Sequence, residues 1–200
     1  MIYIGIDPGL DGCLAALSDD GKVVFHDMAT IKTDTGKRRY NVAWLVGVLD
    51  DYQMEPCMAG LEVFTGFPGM GSKLRCAMCN QPRGLAGTSV SALAQGRGIG
   101  IWEGALAMAK ISTRMVSPQA WRSRLLRDTD KSKDSSRLVA MRLFPQIASQ
   151  LQLKKHHGRA DALLIAEYVA SEYRNEVKFD GKGSPAPILV QQANPGQGNR

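Results

Sequence analysis

Three acids and one histidine stand where side chains can do chemistry. Asp7 ends an apolar run in IGIDPGLDG, Glu62 ends another in AGLEVF, and Asp161 opens a helical pattern in HHGRADALLIAEY. An acid in an apolar element is costly to bury alone, so it is satisfied by backbone and a cation, or gathered with others on a metal. His157 precedes Asp161 by four residues, which places both on one helix face. Magnesium or manganese ions between such groups can support hydrolysis of a phosphodiester.

Each of the four residues also has a purely structural interpretation. Asp7 is a good turn residue, because Asp-Pro-Gly favours a turn. Glu62 is compatible with a solvated strand end, Asp161 with an acid stabilised by a helix N-terminus, and His157 with a surface position. These alternatives stay open for each residue taken singly. The occurrence of all four in this order favours a shared site.

The elements that must position these residues follow from apolar periodicity and turn residues. Short apolar runs separated by Asp-Pro-Gly and Asp-Asp-Gly predict an antiparallel meander of three strands, with two further strands later in the chain. The predicted strands are Ile2–Ile6, Cys13–Leu17, a third from Val23 to Phe25, Cys57–Val63 and Thr113–Val116. Residues 32–40 and 64–88 are predicted loops.

Helical spacing predicts the elements between and after the last strands. Asn41 is a plausible N-cap for the first helix, which is expected to end near Tyr52. The others are predicted at Ser89–Lys110, Pro118–Trp121, Ser135–Leu143 and His157–Tyr173. The glycines of the second helix predict close backbone packing or a kink; they are Gly96, Gly98, Gly100 and Gly104.

The order βββ-α-β-α-β-α-α predicts an α/β fold, a mixed five-stranded sheet flanked by helices. The length of 200 residues suits one domain, expected over residues 1–177, with a flexible tail over 178–200 that is rich in Gly, Pro, Asn and Gln. No apolar run reaches the roughly 20 residues of a membrane helix. The N-terminus resembles no signal or transit peptide, so a cytoplasmic location, in a bacterial cell or a phage-infected host, is expected.

Positive charge is concentrated in one part of the chain. The net charge is +6, and residues 110–159 hold 12 Lys and Arg against three Asp and no Glu. Such a block favours a polyanionic partner, most often nucleic acid. A solvated basic face is the alternative.

Four cysteines do not make a disulfide framework. The pair Cys76 and Cys79 lacks a second pair, so a structural zinc site is the less favoured interpretation. Phe64, Phe67 and Met70 lie in the same predicted loop. Their apolar side chains suggest a wedge that enters a branched DNA substrate.

The motifs IGIDPGLDG, LEVF and KKHHGRADALLIAEY together resemble the RuvC-type Holliday-junction resolvases. The likeness is closer to the plant chloroplast resolvases and their bacterial and phage relatives. It includes GRGIGIWEG, SPQAWRSRL and the segment KDSSR at residues 133–137, and it spans about residues 1–173. The resemblance implies an RNase H-like fold, a homodimer, a magnesium requirement and paired nicks across a four-way DNA junction.

The resemblance also assigns residues. It implies that the metal ligands are Asp7, Glu62, His157 and Asp161. Asp161 departs from the glutamate common in the chloroplast branch, and His156 stands where an acid is often found.

The basic segment contributes further candidates for DNA contact. The resemblance implies that Lys133 steadies the scissile phosphate. Lys131 is a second candidate, or a solvated loop residue. Backbone-phosphate contacts are expected from Arg122, Arg124 and Arg127, and such contacts make binding salt-sensitive. Arg137 is a further candidate for DNA binding. Trp121 is interpreted as a core residue, with stacking on DNA as the minority alternative.

Three rival functions follow from the same residues. An actin-like ATPase fragment also places D-x-G after a strand, but the chain is short for two lobes and shows no second phosphate loop. A non-catalytic junction-binding module is disfavoured by four intact ligand candidates. A related nuclease acting on RNA–DNA hybrids, flaps or other branched DNA stays open.

Overall fold

The computed structural model describes residues 1–63, 78, 86–127, 129 and 134–179, with the side chains of 86–92, 178 and 179 excepted. The predicted five-stranded mixed sheet is confirmed, with strand order β3-β2-β1-β6-β7. Its strands are β1 (Ile2–Asp7), β2 (Cys13–Ser18), β3 (Val23–Asp27), β6 (Cys57–Glu62) and β7 (Ser112–Val116). The first three are antiparallel, and β1, β6 and β7 are mutually parallel.

Residues 32–40 are not the loop that the sequence predicted. The strands β4 (Thr30–Lys32) and β5 (Arg38–Tyr40) form a separate antiparallel hairpin. Gly36 adopts φ +75° in its turn, a conformation that glycine takes without strain. Three-residue strands of mostly polar side chains give no alternating apolar signal, so the periodicity argument misses them.

The helices agree with the predicted positions and are mostly longer. They are α1 (Val42–Asp50), α2 (Ala86–Met108), α3 (Pro118–Leu125), α4 (Ser135–Leu143) and α5 (His157–Phe179), with 3-10 turns at Pro145–Leu151 and Lys154–His156. Asn41 caps α1 as predicted, because its side-chain oxygen accepts a hydrogen bond from the Trp44 amide at 3.2 Å. The short helix expected over 118–121 continues to Leu125. None of the helices in the described part of the chain has the length and hydropathy to span a membrane.

The helices cover the two faces of the sheet. One core lies under α5, α4 and α3 and contains Tyr3, Met58 and Trp121. The other lies under α1 and α2 and contains Ile4, Leu61 and Trp102. The structure therefore has a layer of helices on each side of one sheet.

The glycines of α2 only partly meet the expectation of close packing. A Cβ built on Gly98 would lie 2.7 Å from the Tyr40 hydroxyl, so this glycine does allow a close approach. Gly96, Gly100 and Gly104 have open space beyond them among the described residues. For these three, the prediction of backbone packing within the described chain is wrong.

The predicted domain boundary at residue 177 is left untested. Helix α5 continues to Phe179, and the rest of the expected tail lies outside the described residues.

Candidate active site

Asp7 and Glu62 lie side by side at the carboxyl ends of β1 and β6. Ile6 of β1 pairs with Leu61 of β6, one residue before each acid. Successive strand residues face opposite sides of a sheet. Because Tyr3 and Met58, four residues earlier, belong to the core under α5, both acids face α5.

Helix α5 approaches this edge so closely that no side chain separates it from β1. A Cβ on Gly5 would overlap the carbonyl oxygen of Ala162 and the amide nitrogen of Ala166. A Cβ on Gly60, the partner of Gly5 on β6, would instead meet a side-chain methyl of the helix, Val169 Cγ2, at 2.5 Å. The helix therefore lies backbone against backbone on β1, and this places Asp161, one residue before Ala162, beside the two strand acids.

The loop after Asp7 is wound tightly around the same point. The Gly9 amide donates to Asp7 Oδ1 at 3.0 Å, and the Gly12 amide donates to the Gly9 carbonyl at 2.9 Å. A Cβ on Gly158, at the start of α5, would lie 2.7 Å from the Asp11 carbonyl oxygen. Asp7 is thus a turn residue as well as a member of the acid cluster, and the two interpretations do not compete.

Glu62 is the most deeply buried acid of the cluster, with 5% of its surface exposed. The indole N–H of Trp121 donates to its Oε1 at 2.8 Å. Burial raises the pKa of Glu62 to about 7. The Trp121 hydrogen bond and Arg122 oppose that shift, whereas the charges of Asp7 and Asp161 add to it.

Burial also raises the pKa of Asp7 and of Asp161. For Asp7 the Gly9 amide opposes the shift, and the charge of Asp161 reinforces it. For Asp161 the Ser136 hydroxyl and Arg122 oppose it. The charge of Asp161 thus adds to the raised pKa of both Asp7 and Glu62, as neighbouring carboxylates do.

His157 stands at the exposed edge of the cluster, at the first residue of α5. Its Nδ1 is 3.4 Å from the Lys154 carbonyl oxygen. Its charge lowers the pKa of both Asp7 and Asp161, so the imidazole lies within electrostatic reach of them. With Nδ1 directed at a carbonyl, Nε2 is the nitrogen left for a ligand or a proton.

The donor set fits a hard divalent cation. All three side chains offer carboxylate oxygens, and Asp161 Oδ1 is buried with no hydrogen bond of good geometry from any described residue. Among the described residues, no three or more His, Cys, Asp or Glu side chains lie close enough together to hold one ion between them. Magnesium usually binds to one or two carboxylates and keeps several waters.

The arginines predicted to contact DNA have different surroundings. Arg122 is half exposed, lies 3.3 Å from Asp161 Oδ2 and stacks on Trp121. Arg124 pairs with Glu172. Arg137 is buried, at 7% exposure, and donates to the Gln152 carbonyl at 2.7 Å. Only Arg122 is both exposed and adjacent to the acids, and the environment of Arg137 is that of a packing residue.

Several predicted features lie outside the described residues. They are Lys131 and Lys133, the apolar residues Phe64, Phe67 and Met70, and the pair Cys76 and Cys79. Their predicted roles stay predictions.

Two features of the site were missed by the sequence. Trp121 was assigned to the core, and it does lie there, but its hydrogen bond to Glu62 was not foreseen. The hairpin was also missed. Arg38 binds Asp11 through two hydrogen bonds, of 2.7 and 2.8 Å, and the Tyr40 hydroxyl donates to the Pro8 carbonyl. The hairpin is thereby attached to the loop that follows Asp7.

A cleft of about 1100 Å³ opens over the acids. Asp7 and Glu62 line it, and its other walls are formed mainly by residues of the hairpin and of α2. An extended substrate can therefore reach the carboxylates between these two walls.

The fold is the RNase H-like fold, with a mixed five-stranded sheet between helices. The structure of Thermus thermophilus RuvC in complex with a Holliday junction substrate matches it with a TM-score of 0.52 and 17% identity, over 88% of this chain and 96% of that one. A second Thermus thermophilus RuvC structure gives a TM-score of 0.48 and 19% identity, over 88% and 97%.

The sequence comparisons point to the same group of proteins. A curated protein, the chloroplastic Holliday junction resolvase MOC1 of Chlamydomonas reinhardtii, is 39% identical over 69 residues, or 34% of this chain. The match spans only 8% of the length of that relative. No family model matches the chain. The resemblance to RuvC-type resolvases is confirmed by both the sequence match and the fold.

Proposed function

We propose that this chain is a divalent-metal-dependent endonuclease that resolves four-way DNA junctions. The observation that carries the proposal is the convergence of Asp7, Glu62 and Asp161, buried and with raised pKa values, at one edge of an RNase H-like sheet. The similarity to RuvC and to the MOC1 resolvase supports the choice of a junction as substrate.

The residues divide the work as follows. Asp7 would anchor the divalent ions, Glu62 and Asp161 would each help to hold one, and His157 would bind an ion or take a proton at Nε2. Bound magnesium or manganese would supply Lewis-acid assistance to an attacking water and charge neutralisation at the phosphate. Arg122, exposed beside Asp161, contacts the phosphate backbone. Lys133 is proposed to steady the scissile phosphate.

The proposal also includes a homodimer. The described part of one chain carries one acid cluster, whereas resolution of a junction needs two paired nicks and therefore two such clusters. Light scattering of the protein on a four-way junction gives the stoichiometry. Two chains per junction are expected.

The central test is Asp7→Asn. We expect it to keep junction binding and to lower the rate of cutting in magnesium by about a thousandfold or more, because the anchoring charge is lost while the surface is unchanged. Labelled four-way junction, linear duplex and RNA–DNA hybrid are incubated with each variant, with and without magnesium.

Asp20→Asn is the matched control, since Asp20 is exposed in the turn between β2 and β3 at the opposite edge of the sheet. It is expected to cut at the wild-type rate. Cutting by Asp7→Asn at that same rate would sink the proposal. Faster cutting of the RNA–DNA hybrid than of the four-way junction would support a nuclease but contradict the junction as its substrate.

A further inference from the structure

The hairpin holds positive charge that nothing in the described structure neutralises. Residues 30–40 include four basic side chains and one acid, Asp34. Arg38 is paired with Asp11. Lys37 and Arg39 are exposed and form no ion pair with any described residue. This charge lies outside the basic block of residues 110–159.

These cations border the route to the acids. Lys37 and Arg39 line the cleft on the hairpin side, and Arg97 of α2 lines it on the other. Arg97 is also exposed and has no ion-pair partner in the described chain. Asp7 and Glu62 line the same cleft and repel a phosphate, so cations along its walls offset that repulsion for a polyanion lying in the cleft.

The hairpin is held in place with respect to the acids. Arg38 and Tyr40 fasten it to Asp11 and Pro8, within the loop that follows Asp7. On its other side, Tyr40 packs on Gly98 of α2. A DNA strand bound to the hairpin is therefore held at a set position relative to Asp7.

We propose that Lys37 and Arg39, with Arg97 opposite, bind the phosphate backbone of the DNA strand that enters the active site. This inference rests on the proposed nuclease function and names the surface that delivers its substrate. The contacts are to phosphates, so they fix the position of the strand without reading its sequence.

The test is a salt titration of junction binding without magnesium, with full-length wild type and Lys37→Gln/Arg39→Gln. Each lost phosphate contact flattens the plot of log affinity against log salt by about 0.9. We expect a slope shallower by about 2 and an affinity about tenfold weaker near 0.1 M salt. Adding Arg97→Gln is expected to flatten the slope by about one more.

Lys22→Gln/Arg174→Gln is the matched control, with the same loss of charge at exposed residues beside the turn between β2 and β3, at the opposite edge of the sheet and outside the basic block. Its slope and affinity are expected to equal those of the wild type. Thermal melting verifies that all variants are folded.

Wild-type slope and affinity in Lys37→Gln/Arg39→Gln would overturn this inference, even if the protein cuts junctions. An equal loss in the Lys22→Gln/Arg174→Gln control would also overturn it, because the effect would then follow net charge. A hairpin-dependent slope in a protein that cuts no DNA in magnesium would support this inference and refute the nuclease.

Discussion

The two faces of the sheet differ in how closely their helices approach the strands. On the α5 face, Gly5 lets the helix backbone touch the strand backbone, and Gly60 makes room for side-chain methyls of the helix. On the α2 face, large side chains such as Trp102 and Leu106 fill the space, while no described residue lies within 4 Å of a Cβ built on Gly100 or Gly104.

The site lies on the face where the backbones touch. Asp7 and Glu62 point to that side, and Asp161 is carried by α5 itself. Direct backbone contact leaves no side chain whose rotamer can shift the helix, so it positions a catalytic side chain more tightly than side-chain packing does. Three predictions break or sharpen this contrast.

The largest effect is expected from Gly5→Ala. The added methyl overlaps backbone atoms of Ala162 and Ala166, which cannot rotate away, so the free energy of unfolding should fall by more than about 3 kcal/mol. Gly60→Ala meets side-chain methyls instead and should lose less. Urea unfolding measures both.

Gly100→Ala is expected to raise the free energy of unfolding, whereas Gly5→Ala lowers it. Nothing lies within 4 Å of its Cβ position among the described residues, and alanine favours helix, so a gain of about 0.5–1 kcal/mol is expected. Equal losses in Gly5→Ala and Gly100→Ala would remove the distinction between the faces.

The second prediction concerns pH in metal-free protein. The buried Glu62 has a pKa of about 7 against an ordinary 4.5, so the folded state holds this proton more tightly than the unfolded state. Stability from this group is complete below about pH 4.5 and is lost as the pH rises through 7, by about 3 kcal/mol in all.

Urea unfolding at several pH values in a chelator checks this. Glu62→Gln is expected to remove most of the decline, and magnesium at pH 8 to restore stability to the wild type. A wild-type profile that rises between pH 5 and 8 would contradict the buried-carboxylate account. Asp7 and Asp161 act in the same direction, because their pKa values are also raised.

The third prediction compares two fully buried tryptophans, one on each face. The N–H of Trp121 binds Glu62, whereas the N–H of Trp102 has no hydrogen-bond partner in the described chain. Replacement by Phe removes similar volume from both. Trp121→Phe should therefore cost about 1–3 kcal/mol more than Trp102→Phe at pH 8, where Glu62 is charged.

Magnesium affinity, measured by calorimetry without DNA, gives an independent readout. Loss of a group that orients a ligand weakens metal binding about tenfold or more, so Trp121→Phe should show this and Trp102→Phe should not. Equal metal affinities in the two variants would show that Trp121 contributes to packing and does not orient Glu62 for metal binding.

The elements that the sequence predicted are those with strong local patterns. Apolar runs that stop at Asp-Pro-Gly or Asp-Asp-Gly mark β1 to β3, and Asn41 marks the start of α1 by its own side chain. The acids stand out in the sequence because each lies at the start or end of an apolar element. The convergence of Asp7 and Glu62 follows from a rule of parallel sheets, in which carboxyl ends share one edge.

The missed features depend on contacts far apart in the chain. The bond between Trp121 and Glu62 joins residues 59 positions apart, and nothing local in SPQAWRSRL marks it. The hairpin is held by contacts of Arg38 and Tyr40 to the loop after Asp7, 27 and 32 positions away. Neither spacing nor periodicity reports such pairs.

The contact of Gly5 with Ala162 has a consequence for protein engineering. The separation of Asp161 from β1 is set by backbone thickness, which no choice of core residue can decrease. The metal preference of the proposed site can thus be changed through the identity of its ligands, for example by Asp161→Glu, which adds one methylene of reach. Substitutions in the core would separate α5 from the sheet before they changed the geometry of the site.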